Sequence, residues 1–437
     1  MNWRGRPYIS NKDPPPLFLC WRESERGALC MRRLRICSLF CTILFFFSTF
    51  SAWGAQGKVR SVSEGANWEE EAVETAAALT EEELEKKLFC SSAILMEQST
   101  GKVLYEMNAD TQMPPASITK IMTMLLLMER LDSGEISLTD TVTAQEHACS
   151  MGGSQIWLEP GEQMTVDELL RATAIQSAND AAVALAEHIG GSEDGFVIMM
   201  NEKAAALGMN NTVFKNASGL DEEGHLTTAR DIALMSKALL SYPKIIEYST
   251  VWMDTLRNGE TGLTNTNKLI KSYKGITGLK TGTTDGAGSC LSATAERDGM
   301  GLIAVVMGCP TSDERFSSAR ALLDYGFSHW QRVVPDSIAD QLLPVPVEDG
   351  VDEQVDVEEG ERPSIILSKG GSAIESKLTL SESLPAPVEA GTEAGIVELY
   401  LDGEKVGSYP IVAKEAVEEM TFSKALSLLF ESLIQLS

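Results

Sequence analysis

A serine and a lysine three residues apart precede a long apolar stretch with a helical pattern. The pair is Ser117 and Lys120, and residues 121–131 behind it have the composition of a buried helix. On a helix, residues i and i+3 share one face, so the hydroxyl and the amine would point into the same space. A serine near a helix N-terminus with an amine beside it is a plausible activated nucleophile. The alternative is a serine cap on an amphipathic helix with a surface lysine.

Two further short motifs follow in order along the chain. Residues 177–179 (Ser-Ala-Asn) form a polar break between two apolar segments with helical periodicity. Residues 280–282 (Lys-Thr-Gly) precede two apolar runs joined by the hairpin-turn sequence 297–299. Taken singly, residues 177–179 could be a helix cap and residues 280–282 a simple turn. Together with Ser117 and Lys120, their order along the chain and their local settings make the set specific.

With these motifs, the sequence resembles the serine penicillin-binding proteins and β-lactamases. Among them it is most similar to the low-molecular-mass D-alanyl-D-alanine carboxypeptidases of peptidase family S11. The resemblance extends from about Ser91 to Trp330, and the segments that carry it are 114–120, 177–179, 216–220, 228–231 and 278–282. The C-terminal region is also similar to that family, although less specifically.

The resemblance implies roles for four catalytic residues. Ser117 would be the nucleophile and Lys120 its base, and the base role requires that burial and the nearby Lys280 lower the pKa of Lys120. Ser177 would relay a proton to the leaving amine. Asn179 would hold the substrate amide or orient Lys120.

The resemblance also implies a set of substrate-binding residues. Lys280 and Thr281 would bind the terminal carboxylate, with Arg315 in support, although a plain surface arginine is the alternative for Arg315. Gly282 would let a strand approach the substrate closely. The N–H of Thr283 would complete an oxyanion hole with that of Ser117. No metal or organic cofactor is implied.

The implied fold is α+β, with a β-lactamase/transpeptidase-like domain of clustered helices beside an antiparallel sheet, followed by a small all-β domain. The implied activity is removal of the terminal D-alanine from peptidoglycan stem peptides through an acyl-enzyme on Ser117, and β-lactams would acylate the same serine. Three alternatives stay open: a catalytically idle penicillin-binding sensor or scaffold, a class A-like β-lactamase, and endopeptidase action. Class A enzymes have the sequence Ser-Asp-Asn where this chain has Ser-Ala-Asn at residues 177–179. They also carry a deacylating glutamate that has no convincing equivalent in this sequence.

The ends of the chain differ from its middle. Residues 1–55 are predicted to be a leader with a signal peptide, since three arginines precede the apolar run 36–50. The alternative is an uncleaved N-terminal anchor. Translation could also start at Met31. Residues 56–88 are predicted to be an acidic linker or solvated helix, 89–333 the catalytic domain, 334–418 the β domain, and 419–437 an amphipathic helix. Its apolar face, within 422–436, would contact a membrane surface or pack on the β domain.

The net charge and the spacing of the cysteines argue against further classes of partner and site. The 437-residue chain has a formal net charge of −27, which argues against a nucleic-acid partner. Outside the leader, the cysteines lie far apart in sequence, which predicts no zinc site; they are Cys90, Cys149, Cys290 and Cys309. We expect an exported protein at the outer face of the cytoplasmic membrane or in the cell wall. Export would permit a disulfide, and isolated buried thiols are the alternative.

Overall fold

A computed structural model describes residues 79–435 of the chain. All of these residues belong to a single compact unit. The predicted leader, and the predicted linker as far as residue 78, lie outside the described residues.

Helices and strands succeed one another as follows. The α-helices are α1 (Glu81–Glu85), α2 (Lys120–Asp132), α3 (Glu146–Cys149), α4 (Val166–Arg171), α5 (Asn179–Gly190), α6 (Glu193–Ala206), α7 (Ala229–Leu240), α8 (Ile245–Ser249), α9 (Ser312–His329) and α10 (Phe422–Gln435). The strands are β1 (Ser92–Glu97), β2 (Val103–Met107), β3 (Thr141–Thr143), β4 (Gln163–Thr165), β5 (Met253–Leu256), β6 (Thr261–Thr264), β7 (Ile276–Thr284), β8 (Gly288–Arg297), β9 (Met300–Cys309), β10 (Trp330–Val333), β11 (Val345–Glu348), β12 (Gln354–Val355), β13 (Val357–Glu359), β14 (Ile365–Ser368), β15 (Glu375–Leu380), β16 (Leu384–Pro385), β17 (Glu393–Leu401) and β18 (Glu404–Ala413). Short 3₁₀ turns cover Ala116–Thr119, Arg257–Gly259, Lys268–Lys271 and Ala339–Gln341, and a π turn covers Ala172–Gln176.

A five-stranded antiparallel sheet divides the core of the catalytic region. Its strand order is β2-β1-β9-β8-β7. Alternate residues of β1 face opposite sides, with Ile94 packing into the cluster of helices and Leu95 into a second cluster under α9. Because both faces are covered, β1 and β9 are almost continuously apolar. The predicted α+β architecture is confirmed.

Strands β1 and β2 form a hairpin, and β8 and β9 form another with the turn predicted at residues 297–299. In the second, Asp298 and Gly299 both have positive φ, the conformation that a tight two-residue hairpin requires. At the start of α7, a capping box is only half formed. The Thr228 hydroxyl accepts from the Asp231 N–H, but the Asp231 carboxylate instead accepts from the Asn211 N–H and the Thr212 hydroxyl.

The C-terminal region consists mainly of short strands, as predicted. Its main sheet has the order β13-β18-β17-β15. Strand β14 pairs with β10 at the end of the catalytic region, and Lys102 Nζ donates to the Ile366 carbonyl at 3.1 Å. The proposed boundaries 334 and 418 stay predictions. At the other end, Leu84 of α1 is fully buried, so this last turn of the predicted acidic linker is docked on the domain.

Helix α10 ends the described chain with its apolar side chains exposed. Phe422 is 84% exposed, and Leu429 and Phe430 are each 57% exposed. The alternative in which this apolar face packs on the β domain is therefore wrong for these residues. Among residues 79–435, no helix is both long and apolar enough to cross a membrane.

Candidate active site

Ser117 and Lys120 lie on one face of a continuous helical segment, as their spacing predicts. Ser117 is in the 3₁₀ turn Ala116–Thr119, and Lys120 is the first residue of α2. Lys120 Nζ is 3.2 Å from Ser117 Oγ. The first nine residues of α2 are buried, so packing in the helical core holds the pair in place.

Lys120 is fully buried and is held by three oxygen atoms. Besides Ser117 Oγ, its amine contacts Asn179 Oδ1 at 2.5 Å and the Ser218 carbonyl at 2.6 Å. Burial lowers the pKa of Lys120 to about 7, and the nearby Asp180 carboxylate acts in the opposite direction. A lysine with this pKa is neutral about half of the time at pH 7, as a general base requires.

Ser177 and Asn179 reach the site because the chain changes direction between α4 and α5. The π turn ends at Ser177, which has a left-handed backbone conformation, and α5 begins at Asn179. Lys280 Nζ, from β7, donates to Ser177 Oγ at 2.8 Å and to the Thr281 carbonyl at 2.9 Å. Burial lowers the pKa of Lys280 well below its ordinary value, and the positive charges of Lys120 and Arg315 lower it further.

Gly282 lies where β7 passes the Ser117 turn. A Cβ atom at this position would be 3.0 Å from both the Ser117 nitrogen and the Pro115 carbonyl oxygen. In the structure, the close neighbour of Gly282 is the backbone of the nucleophile's own turn, and the close approach of this strand to the substrate stays a prediction. A glycine here therefore lets the N–H groups of Ser117 and Thr283 approach one another.

Arg315 is buried rather than being a surface arginine, with 7% of its area exposed. Its guanidinium donates to the Gly282 carbonyl at 3.0 Å and to the Thr283 hydroxyl at 2.8 Å. The Nε atom has no hydrogen-bond partner. Arg315 therefore supports the strand that borders the cleft and carries a positive charge behind it.

The predicted site residues converge on one cleft of about 240 Å³. The predicted residues that line it are Ser117, Ser177, Asn179, Thr281, Gly282, Thr283 and Arg315. Lys120 and Lys280 lie just beneath it and contact Ser117 and Ser177 respectively. Within the described residues, no group of histidine, cysteine and acidic side chains could hold a metal ion.

Three supporting residues were not assigned a role from the sequence. The Ser218 carbonyl accepts a hydrogen bond from Lys120. Gly219 has φ +86°, and a Cβ atom at this position would lie 1.9 Å from the Ala116 carbonyl oxygen. Asp180 is fully buried and accepts from the Ile156 and Leu158 N–H groups, which fixes the loop beside the cleft. The segment 216–220 was noted only as part of the resemblance, because backbone contacts have no residue-type signature.

His225 has a structural role. Its Nε2 is 3.0 Å from the Thr119 hydroxyl, which in turn donates to the Ala116 carbonyl. Burial lowers the pKa of His225 to about 4, so the ring is neutral at physiological pH. The histidine thus braces the turn that carries Ser117.

Comparison with known proteins agrees with this arrangement. Residues 78–311 match the family model described as D-alanyl-D-alanine carboxypeptidase, and residues 339–419 match that of the penicillin-binding protein 5 C-terminal domain. The chain is 44% identical over 336 residues to D-alanyl-D-alanine carboxypeptidase DacF of Bacillus subtilis, covering 76% of this chain and 86% of that protein. It is 37% identical over 339 residues to DacC of Escherichia coli, covering 75% and 84%.

Solved structures give the same result. Penicillin-binding protein 5 of Haemophilus influenzae aligns with a TM-score of 0.65 at 30% identity, covering 76% of this chain and 98% of that one. A Streptococcus pneumoniae protein described as a peptidoglycan synthesis regulatory factor (PBP3) aligns with a TM-score of 0.65 at 32% identity, covering 76% and 100%. Fold and site define a serine penicillin-binding protein. The chain belongs to the D-alanyl-D-alanine carboxypeptidase family, and it is a serine-type carboxypeptidase of that specificity.

Proposed function

We propose that this carboxypeptidase removes the terminal D-alanine of peptidoglycan stem peptides through a covalent acyl-enzyme on Ser117. The observation that carries the proposal is the contact between Ser117 Oγ and the buried, low-pKa amine of Lys120 at 3.2 Å. A neutral amine at that distance can accept the hydroxyl proton while Oγ attacks the carbonyl of the penultimate D-alanine.

Collapse of the tetrahedral intermediate needs a proton on the departing amine. Ser177 is suited to relay to it the proton that Lys120 took from Ser117, since its hydroxyl lines the same cleft as Ser117 and is held there by a hydrogen bond from Lys280. This transfer returns Lys120 to its neutral form. The D-alanine leaves, and water then attacks the ester with Lys120 again acting as base. The N–H groups of Ser117 and Thr283 would stabilise the oxyanion, and losing one such donor typically costs about 100- to 1000-fold in rate.

The terminal carboxylate of the substrate would bind at the end of the cleft formed by β7 and α9. Thr281 and Arg315 line this end, and Lys280 lies just beneath it. The Thr281 hydroxyl contacts that of Thr266 at 2.6 Å, which orients it in the cleft. The Arg315 guanidinium, the Lys280 amine and an oriented hydroxyl form an anion site, in keeping with a substrate that ends in a free carboxylate.

We infer that β-lactams acylate Ser117 as well. Penicillin-binding protein D2 of Listeria monocytogenes, solved in a cefotaxime-bound form, aligns with a TM-score of 0.51 at 36% identity and covers 55% of this chain and 98% of that one.

Endopeptidase action at the same site stays as an alternative activity. A Pseudomonas aeruginosa relative named as a D-alanyl-D-alanine endopeptidase is 35% identical over 214 residues, covering 48% of this chain and 67% of that protein.

The deciding experiment measures D-alanine release from an acylated D-Ala-D-Ala peptide. We expect release by the wild type, none by Ser117→Ala, and normal release by Ser133→Ala, which changes an exposed serine at the end of α2. Failure of a folded wild-type protein to release D-alanine, while it still binds penicillin, would favour the sensor or scaffold. Fast hydrolysis of penicillin would favour the β-lactamase.

We further propose that the protein is exported and that α10 lies on the membrane surface. Its apolar side chains are exposed along one face, whereas Lys424 on the other face pairs with Glu418. Helices with this distribution bind at the interface between lipid and water. The single basic residue in α10 indicates that apolar burial, rather than attraction to anionic lipid, provides the affinity.

Vesicle sedimentation tests this location. The protein should sediment with phosphatidylcholine vesicles, and Leu429→Glu should abolish sedimentation because it places a charge within the apolar face. Ser427→Glu, on the polar face, is the matched control and should sediment like the wild type. Equal sedimentation of Leu429→Glu and the wild type would contradict a role for α10.

A further inference from the structure

Two cysteines from distant parts of the sequence lie side by side at one end of the central sheet. Ser92, the first residue of β1, pairs with Met307 of β9. Cys90 lies two residues before Ser92, and Cys309 lies two residues beyond Met307. The ladder between β1 and β9 thus brings the two thiols to the same sheet end.

Both thiols also face the same side of the sheet. Cys309 is fully buried in the cluster under α9, and Cys90 is partly buried against that same cluster. The neighbouring Cys90 side chain is the largest cause of a raised pKa at the Cys309 thiol, in agreement with their closeness. Cys90 retains some solvent exposure, so one member of the pair is accessible to an oxidant.

The remaining cysteines of the described region are placed differently. Cys290 is buried in the helical cluster on the opposite face of the sheet, and its thiol is engaged with the Ala287 carbonyl and the Gly308 N–H. Cys149 packs against the helical cluster as well. Among residues 79–435, Cys90 and Cys309 are therefore the pair suited to cross-linking.

We propose that Cys90 and Cys309 are an oxidative cross-linking site and form a disulfide in an oxidising compartment. The oxidant is a small disulfide such as oxidised glutathione. The Cys90 thiolate attacks it and releases one thiol, and the deprotonated Cys309 sulfur then attacks the Cys90 sulfur of the mixed disulfide and releases the second. Two protein thiols are oxidised to one disulfide, and one glutathione disulfide is reduced to two thiols.

The cross-link would join the entry of the catalytic domain to the end of β9, just before α9. The loop that it closes contains Ser117, Ser177 and Lys280, so it restricts the unfolded chain strongly. It would also tether the start of α9, the helix that carries Arg315. We expect the oxidised protein to melt roughly 5 °C or more above the reduced protein.

Peptide mapping of the full chain tests the pairing. After incubation with oxidised glutathione and alkylation of remaining thiols, tryptic fragments 88–102 and 298–315 should be recovered as one cross-linked species. Fragment 281–297, which contains Cys290, should be recovered alkylated. Separate alkylated fragments for Cys90 and Cys309, or linkage of Cys90 to another cysteine, would overturn the proposal.

Melting of variants provides the second measurement. The difference in melting temperature between oxidised and reduced protein should vanish in Cys90→Ser, which changes the partly exposed member of the pair. It should persist in Cys290→Ser, the matched control. A difference that survives in Cys90→Ser would assign the stabilisation to other cysteines and would also overturn the proposal.

Discussion

Replacing Asn179 with aspartate should move the pH dependence of Ser117 acylation. In the wild type, the Asn179 amide oxygen is 2.5 Å from Lys120 Nζ, and the pKa of Lys120 is about 7 because the amine is buried. The reactive form has a neutral Lys120, so the acylation rate should rise with pH. The neutral fraction is about one tenth at pH 6, half at pH 7 and nine tenths at pH 8.

The substitution places a carboxylate against the Lys120 amine in a buried site. An opposite charge at this range raises the pKa of a lysine by about 1–3 units, and burial favours the upper part of that range. The midpoint should therefore move from about pH 7 to between about 8 and 10. At pH 7 the neutral fraction would fall to between about a tenth and a thousandth, and the acylation rate would drop roughly 5- to 500-fold.

The assay is the rate of labelling by a fluorescent penicillin, measured from pH 5.5 to 10. Asn179→Ala removes the same amide without adding charge, so its midpoint should not rise even if its plateau falls. Asn210→Asp adds the same charge at an exposed position and should behave like the wild type. A wild-type rate that is flat between pH 6 and 8, or an unshifted midpoint in Asn179→Asp, would refute the assignment of Lys120 as base.

Two further substitutions test how the Ser117 turn is built. Gly219→Ala should lose penicillin labelling and destabilise the protein by more than about 3 kcal/mol, because its Cβ would meet the Ala116 carbonyl. Gly161→Ala is the control, since Gly161 has nearly the same φ and open surroundings. It should lower the free energy of unfolding in urea by only about 1–2 kcal/mol. His225 should make stability fall by about 3 kcal/mol as pH drops from 6.5 to 4, since only the unfolded state binds its proton there. His225→Gln should remove that slope in urea unfolding, and His188→Gln, at an exposed position, should keep it. Equal costs for the two glycines, or an unchanged slope in His225→Gln, would contradict this account.

The pairing of residues within a motif could be predicted because each motif is short and local. Helical spacing alone places Ser117 beside Lys120, and the hairpin signal at 297–299 pairs β8 with β9. The contact between Ser177 and Lys280 is different, since no local pattern relates residues so far apart. It was expected only through the family resemblance.

The supporting contacts could not be predicted because they are made by the backbone or by burial. The Ser218 carbonyl accepts from Lys120 without any requirement on the side chain at 218. Gly282 lines the cleft, and its close packing against the turn of the nucleophile has no signal in the sequence. In the same way, the pattern of α10 shows an apolar face and does not show whether protein covers it.

The two buried lysines differ in their surroundings, and that difference separates their roles. Asp180 partly offsets the desolvation of Lys120, whereas Lys280 is next to Lys120 and Arg315, which both disfavour its charge. A ligand carboxylate beside Lys280 would supply the missing negative charge and raise the pKa of Lys280. Substrate binding would thus be coupled to proton uptake at Lys280. The protonated Lys280 would then favour the neutral form of Lys120 at the stage when Lys120 must accept the proton of Ser117.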